Sequence, residues 1–115
     1  MKLTVEPEVD ELFRQVEVEL KKLLGEKLKK LILFGSYSRG DYDSESDVDI
    51  MALVDEPHPD EKYEEKILDI IVDFSIEYGL LLSLFLENEE EYEKTKNIEP
   101  LLEKIEKEGI ELYAA

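Results

Sequence analysis

Residues 33–54 read LFGSYSRGDYDSESDVDIMALV, and the interpretation of the whole chain turns on them. An apolar stretch runs into Gly35-Ser36, where a glycine allows close backbone approach and a hydroxyl can meet a phosphate oxygen. Arg39 and Gly40 follow within a segment rich in Gly, Ser and Asp. That segment holds little that can be buried, which predicts loop or short helix over 36–46. Arg39 is one of two arginines in the chain, the other being Arg14, and its planar guanidinium suits phosphate better than an ammonium does. After a ten-residue gap from Ser36, Asp47 and Asp49 open a second apolar stretch. Period-two geometry turns both carboxylates to one face of a strand and Val48 and Ile50 to the other.

Working outward, 29–34 (KKLILF) and 47–54 (DVDIMALV) are apolar runs of strand length. KKLILF lacks polar alternation, as expected for a strand covered on both faces. The prolines of DEPHPD (55–60) break the second run. Upstream, Pro7 suits a first helical turn, and Val9, Leu12, Phe13, Val16, Leu20, Leu23 and Leu24 recur at three- and four-residue steps. This predicts an amphipathic helix over 7–24 closed by Gly25. Downstream, Tyr63, Ile67, Ile70, Ile71 and Phe74 predict a helix over 60–78 stopped by Gly79, and 80–86 (LLLSLFL) a third strand. Asn88 caps a short helix to about 96. Pro100 opens another, with Leu101, Leu102 and Ile105 inward, that ends at Gly109. The order α-β-loop-β-α-β-α-α implies one domain over 1–115 of the α/β (α+β) class, a three- to four-stranded sheet flanked by helices. The Glu-rich stretch 87–93 reads as a solvated helix face.

The chain has 115 residues, 14 Lys+Arg and 31 Asp+Glu, a net charge of −17. That balance argues against binding through nucleic-acid backbones or to an anionic membrane. Cysteine is absent, which removes disulfides, thiol catalysis and zinc–thiolate sites. No secretory signal is evident, and the longest apolar runs are far short of the ~20 residues that span a bilayer, so the expectation is a cytoplasmic protein. The charged residues are mostly Glu and Lys, a bias seen in hyperthermophile proteins.

Two carboxylates on one face repel each other, and a divalent cation relieves the repulsion. With hard oxygen donors and no Cys or His nearby, Mg²⁺, or else Mn²⁺, is the natural occupant. Such a metal beside a Gly-Ser bend and an arginine equips a site for phosphoryl or nucleotidyl transfer.

Gly35-Ser36, the continuation Tyr37-Ser38-Arg39-Gly40, and Ser46-Asp47-Val48-Asp49 after the ten-residue gap resemble the signature of the minimal nucleotidyltransferases, a branch of the DNA polymerase β-like superfamily. The resemblance implies a small mixed sheet and Mg²⁺-dependent transfer of a nucleoside monophosphate, AMP from ATP, to a protein or small acceptor. It also implies a neighbouring HEPN-domain partner, for which this chain would be the antitoxin. By position, Asp47 and Asp49 become the catalytic, metal-binding carboxylates, Gly35 and Ser36 hold the β- and γ-phosphates, and Arg39 contacts phosphate.

Superfamily members generally supply a third carboxylate from a neighbouring strand. Here Ser83 occupies the inward slot, Glu87 shares its parity at the strand end, and Asp73 falls in the preceding helix. Either Glu87 substitutes, or the second metal site is weak and the chain is a binding module that neutralises its partner by contact. His58, the only histidine, lies between Pro57 and Pro59 and reads as an exposed loop residue. Tyr37 and Tyr42 either stack on a nucleobase or pack. Leu101, Leu102 and Ile105 are either core or a partner-binding face. Acceptor, nucleobase and any homo-oligomeric state are left open by the sequence.

Overall fold

The computed structural model describes residues 7–40 and 47–115. Helix α1 spans Pro7–Leu24, as its spacing predicts, and a 3₁₀ turn over Gly25–Lys27 leads into strand β1, Leu28–Phe34. A single helical turn, α2 (Ser36–Arg39), precedes β2 (Val48–Val54). The short α3 (Pro59–Lys62) and long α4 (Glu64–Tyr78) connect to β3 (Leu82–Asn88). Then come α5 (Glu89–Thr95), α6 (Pro100–Glu108) and β4 (Ile110–Ala114). Tyr42 and Ser46 lie outside the described residues.

The sheet has the order β3-β2-β1-β4. β1 runs antiparallel to β2 and β4, while β2 and β3, joined through α3 and α4, are parallel, so the sheet is mixed. Alternation along the strands sorts their side chains into two cores. Leu31 and Leu33 of β1, Val48, Ile50, Ala52 and Val54 of β2, and Leu82, Leu84 and Leu86 of β3 pack with α1 and with Ile67 of α4. On the opposite face Ile32, Met51 and Leu53 pack with Tyr92 of α5 and Leu102 and Ile105 of α6. The central strands β1 and β2 are thus covered on both sides, which is why their sequences read as unbroken apolar runs.

Three boundaries differ from the sequence expectation. The helix expected over 60–78 starts as a separate turn at Pro59 and restarts at Glu64. His58, exposed as expected, sits just before it in the left-handed region (φ 49°). The third strand begins two residues late because the chain uses Gly79 and Leu80 to leave α4: the Leu80 amide donates to the Ser75 carbonyl (3.2 Å) and the Leu82 amide to the Ser75 hydroxyl (3.0 Å). Asn88 ends that strand and caps α5 as expected, accepting from the Glu91 amide (2.9 Å). Strand β4 was not expected. It is a five-residue edge strand, and Gly109 makes it possible: a Cβ there would run into the Ile105 carbonyl and the Ile32 side chain, so only glycine lets the end of α6 lie this close to β1. Among the described residues no helix is long and apolar enough to cross a membrane.

Candidate active site

β1 and β2 deliver the two halves of the sequence motif to the same end of the sheet. Phe34 and Asp49 are opposite one another in the antiparallel register, so Gly35 leaves β1 at the level of the Asp49 side chain. Gly35 has φ 77° and ψ −155°, a conformation essentially reserved to glycine. An ideal Cβ built on it would lie 2.6 Å from Asp49 Oδ2, so the bend and the carboxylate are in direct apposition. The bend is then locked by its own hydrogen bonds. The Ser38 and Arg39 amides donate to the Gly35 carbonyl (3.1 and 3.2 Å), and so does the Ser38 hydroxyl (2.8 Å). Ser36 opens this single turn at the mouth of the site.

Asp47 is exposed just ahead of β2, Asp49 is half-buried, and Val48 between them is buried on the opposite face. The Val48 amide donates to the Leu81 carbonyl (2.9 Å), which pins the Asp-Val-Asp segment to the start of β3. Burial, and then the nearby Asp47 charge, hold the Asp49 carboxyl above the ordinary aspartate range. The Asp47 charge therefore acts on a partly desolvated Asp49 carboxyl.

Ser83 is the parallel-register partner of Asp49, so the neighbouring strand presents a hydroxyl where a third carboxylate was sought. Glu87 does not replace it. Its register partner is Leu53, four residues beyond Asp49, or about 13 Å along the strand. Glu87 lines a separate cavity of about 480 Å³ with His58, Asp60, Glu90 and Glu91. Burial and the charges of Asp60 and Glu91 raise its pKa. Asp73 is exposed on α4, on the other side of the sheet. Among the described residues no group of three or more acidic or histidine side chains is placed to hold a metal, which leaves Asp47 and Asp49 as a two-carboxylate donor set.

Of the two aromatic candidates, Tyr37 is a core residue, buried against the α1 side of the sheet and not available to a nucleobase. Leu102 and Ile105 are buried core residues as well, but Leu101 is exposed. It belongs instead to a cavity of about 170 Å³ lined by Phe34, Gly35, Arg39 and Asp49 on the motif side, facing Leu101, Lys104, Ile105 and Glu108 on α6. Arg39 Nη1 lies 3.4 Å from Glu108 Oε2 across this cavity. No local pattern in the chain indicates that α6 lies against the motif. Its apolar stripe shows that it packs, whereas which wall it forms depends on the turn at Gly109.

The family model described as "Nucleotidyltransferase domain" matches residues 13–112. The chain belongs to this nucleotidyltransferase family. A Methanocaldococcus jannaschii protein named a putative protein adenylyltransferase is 37% identical over 105 residues, 91% of this chain and 99% of its own length. A second protein of that organism with the same designation is 38% identical over 71 residues, 62% of this chain and 65% of its own length. Both belong with the minimal nucleotidyltransferases, and the chain is accordingly a nucleotidyltransferase enzyme. Among solved structures, a toxin–antitoxin crystal structure with AMP-PNP superposes with a TM-score of 0.61 at 19% identity, over 90% of this chain and 73% of that one. A variant of the toxin–antitoxin MntA-HpeT gives 0.56 at 19% identity, over 89% and 72%. These two likenesses establish the nucleotidyltransferase fold.

Proposed function

We propose that this nucleotidyltransferase, a single domain over 1–115, transfers AMP from ATP to a hydroxyl of a protein partner in the cytoplasm, and that the partner is the HEPN-domain toxin for which it is the antitoxin. One observation carries the reading: the direct apposition of the Gly35 bend and the Asp49 carboxylate, which brings the Gly-Ser turn and the aspartate pair to one place at the end of the sheet. The designation of the relatives supports AMP and a protein acceptor, and the AMP-PNP and toxin–antitoxin descriptions of the structural neighbours support a nucleotide and a partner of that kind. At a net charge of −17 the chain would not bind nucleic acid directly.

The donor chemistry of the site fits Mg²⁺, which is typically bound through one or two carboxylates together with substrate phosphates rather than by an all-protein cage. Asp47 and Asp49 would hold it, and Asp49's raised proton affinity marks the charge that a cation would neutralise. Bound there, Mg²⁺ (or Mn²⁺) would supply charge neutralisation of the phosphates and of the leaving group. The chain's own residues do the positioning. Gly35 brings backbone close to the β- and γ-phosphates, the Ser36 hydroxyl donates to their oxygens, and the Arg39 guanidinium offsets the charge that grows on pyrophosphate. The acceptor oxygen bonds to the α-phosphorus, the bond from that phosphorus to the bridging oxygen of pyrophosphate breaks, pyrophosphate leaves with that electron pair, and the acceptor's proton passes to solvent water.

Labelled ATP and Mg²⁺ with the HEPN partner test this directly. Label transferred to the partner by the wild-type chain, and not by Asp47→Asn or Asp49→Asn, is the expected result. Equal transfer by both variants would refute the assignment. Ser83 beside Asp49 favours a second reading, in which the partner is neutralised by contact and transfer is slow. An Asp47/Asp49 double variant that still neutralises the partner would select it.

A further inference from the structure

We propose that α6 is the second half of the nucleotide site, with Lys104 gripping the triphosphate from the wall opposite the Gly-Ser bend and Glu108 holding Arg39 until the nucleotide arrives. This rests on the nucleotide being bound at Gly35, Ser36 and the aspartate pair. A triphosphate brings about four negative charges into a cleft that already holds Asp47 and Asp49, on a chain of net charge −17, so cations at the cleft decide whether it binds. Two basic residues line the cavity beside Asp49: Arg39 from the motif turn and Lys104 from α6.

Lys104 is exposed and makes no ion pair among the described residues, although it lies on an acidic helix. The reason is that its acidic neighbours are engaged elsewhere. Glu103 pairs with Lys107 (3.4 Å), Glu106 with Lys96 (3.2 Å) and Glu108 with Arg39 (3.4 Å). Lys104 is therefore a cation lining the site with no ion-pair partner among the described residues. Ile105 beside it is buried and Leu101 one turn earlier is exposed, so the helix also offers apolar surface next to the charge. The position of that wall is fixed by the close approach at Gly109.

The Arg39–Glu108 pair is long for a hydrogen bond, and both side chains are about one-third exposed. At that distance the Glu108 carboxylate stands beside the guanidinium at the edge of the cleft. Phosphate oxygens, which accept from the planar fork in two places, displace the carboxylate.

Calorimetric titration of the full chain with ATP and with AMP, each with Mg²⁺, tests the assignment. Lys104→Ala is expected to weaken ATP binding about tenfold while leaving AMP binding within about twofold, and Lys104→Arg to restore ATP binding, with melting temperatures unchanged. Glu108→Gln is expected to tighten ATP binding two- to threefold, a gain that disappears when Arg39 is also replaced by Ala. Equal loss for ATP and AMP, or no loss for either, overturns the Lys104 assignment while leaving the nucleotide site standing. A Glu108→Gln effect that survives without Arg39 overturns the latch. A wild-type chain that binds no ATP overturns the site and this inference together.

Discussion

Asp49 Oδ2 lies 2.6 Å from the point where a Cβ on Gly35 would sit, so the glycine of the bend and the second aspartate of the pair are in direct contact. Gly35→Ala meets two penalties at once. Its φ of 77° with ψ −155° is strained for any L side chain, and the new methyl would push against the carboxylate. The expected loss is about 2–4 kcal/mol of stability, read as a lower melting temperature. ATP binding would weaken as well, because Asp49 must move. An alanine variant that melts with the wild type would mean the apposition is not fixed as described.

The aspartate pair is stored strain of an electrostatic kind, and this gives a signature that separates function from stability. Burial and the Asp47 charge raise the folded-state pKa of Asp49 above its unfolded value, so the ionised carboxylate at neutral pH opposes folding. Asp49→Asn removes that charge. It is expected to keep or raise the melting temperature near neutral pH while abolishing nucleotide transfer. Mg²⁺ alone should raise the wild-type melting temperature by mass action and leave that of the variant unmoved. An inactive variant that is also unfolded would show a structural role instead.

Glu56, just after β2, is the buried charge that holds the opposite end of the sheet. Its carboxylate accepts from Lys27 of the 3₁₀ turn and Lys62 of α3, with the Tyr63 hydroxyl 3.4 Å away. The two lysines lower its pKa from 4.5 to about 2. Because the folded value is the lower one, the stabilisation is complete above the unfolded pKa and is lost as pH falls through the window from 4.5 towards 2. Melting temperature measured from pH 7 down to 2 should therefore fall in that window. In Glu56→Gln it should start lower at pH 7 and fall less across the window. Parallel curves would show that the lysines contribute nothing there.

How much of this was legible in the sequence follows from how local each signal is. Helix α1 could be bounded to the residue because its apolar stripe and the glycine after it are written along the chain. The Gly35-Ser36 bend and the aspartate pair were equally readable, since a strand's period of two settles which side chains share a face. Parity alone put both Ser83 and Glu87 on the inward face of the third strand. That Glu87 cannot reach the site needed the register of β3 against β2, which no local pattern encodes. Strand β4 escaped because a five-residue edge strand directly after a helix-ending glycine looks like the end of the helix. Lys104 and Glu108 escaped for a related reason: on α6 they read as ordinary solvated charges, and only the tertiary placement of that helix turns them toward Arg39 and Asp49.

The partner proposed above would need a surface, and the outer flank of α4 offers one apart from the cleft at Gly35 and Asp49. Leu68, Val72 and Ile76 follow at four-residue steps and are 52%, 52% and 77% exposed, beside the free edge of β3 with its exposed Phe85 and the exposed Leu81 just before it. Asp60, Glu64, Glu65, Asp69 and Glu87 make the charge around that flank mainly acidic, with Lys66 the basic residue on α4. A second copy of the chain would set acid against acid, whereas a partner with an apolar stripe flanked by Lys or Arg would be attracted and steered into place. Val72→Ser with Ile76→Ser is therefore expected to leave melting temperature and ATP binding close to wild type and to weaken binding of the proposed HEPN-domain partner about tenfold or more. Raising salt should slow association of the wild-type pair. Unchanged affinity of the double variant for the partner would place the partner's contact elsewhere on the molecule.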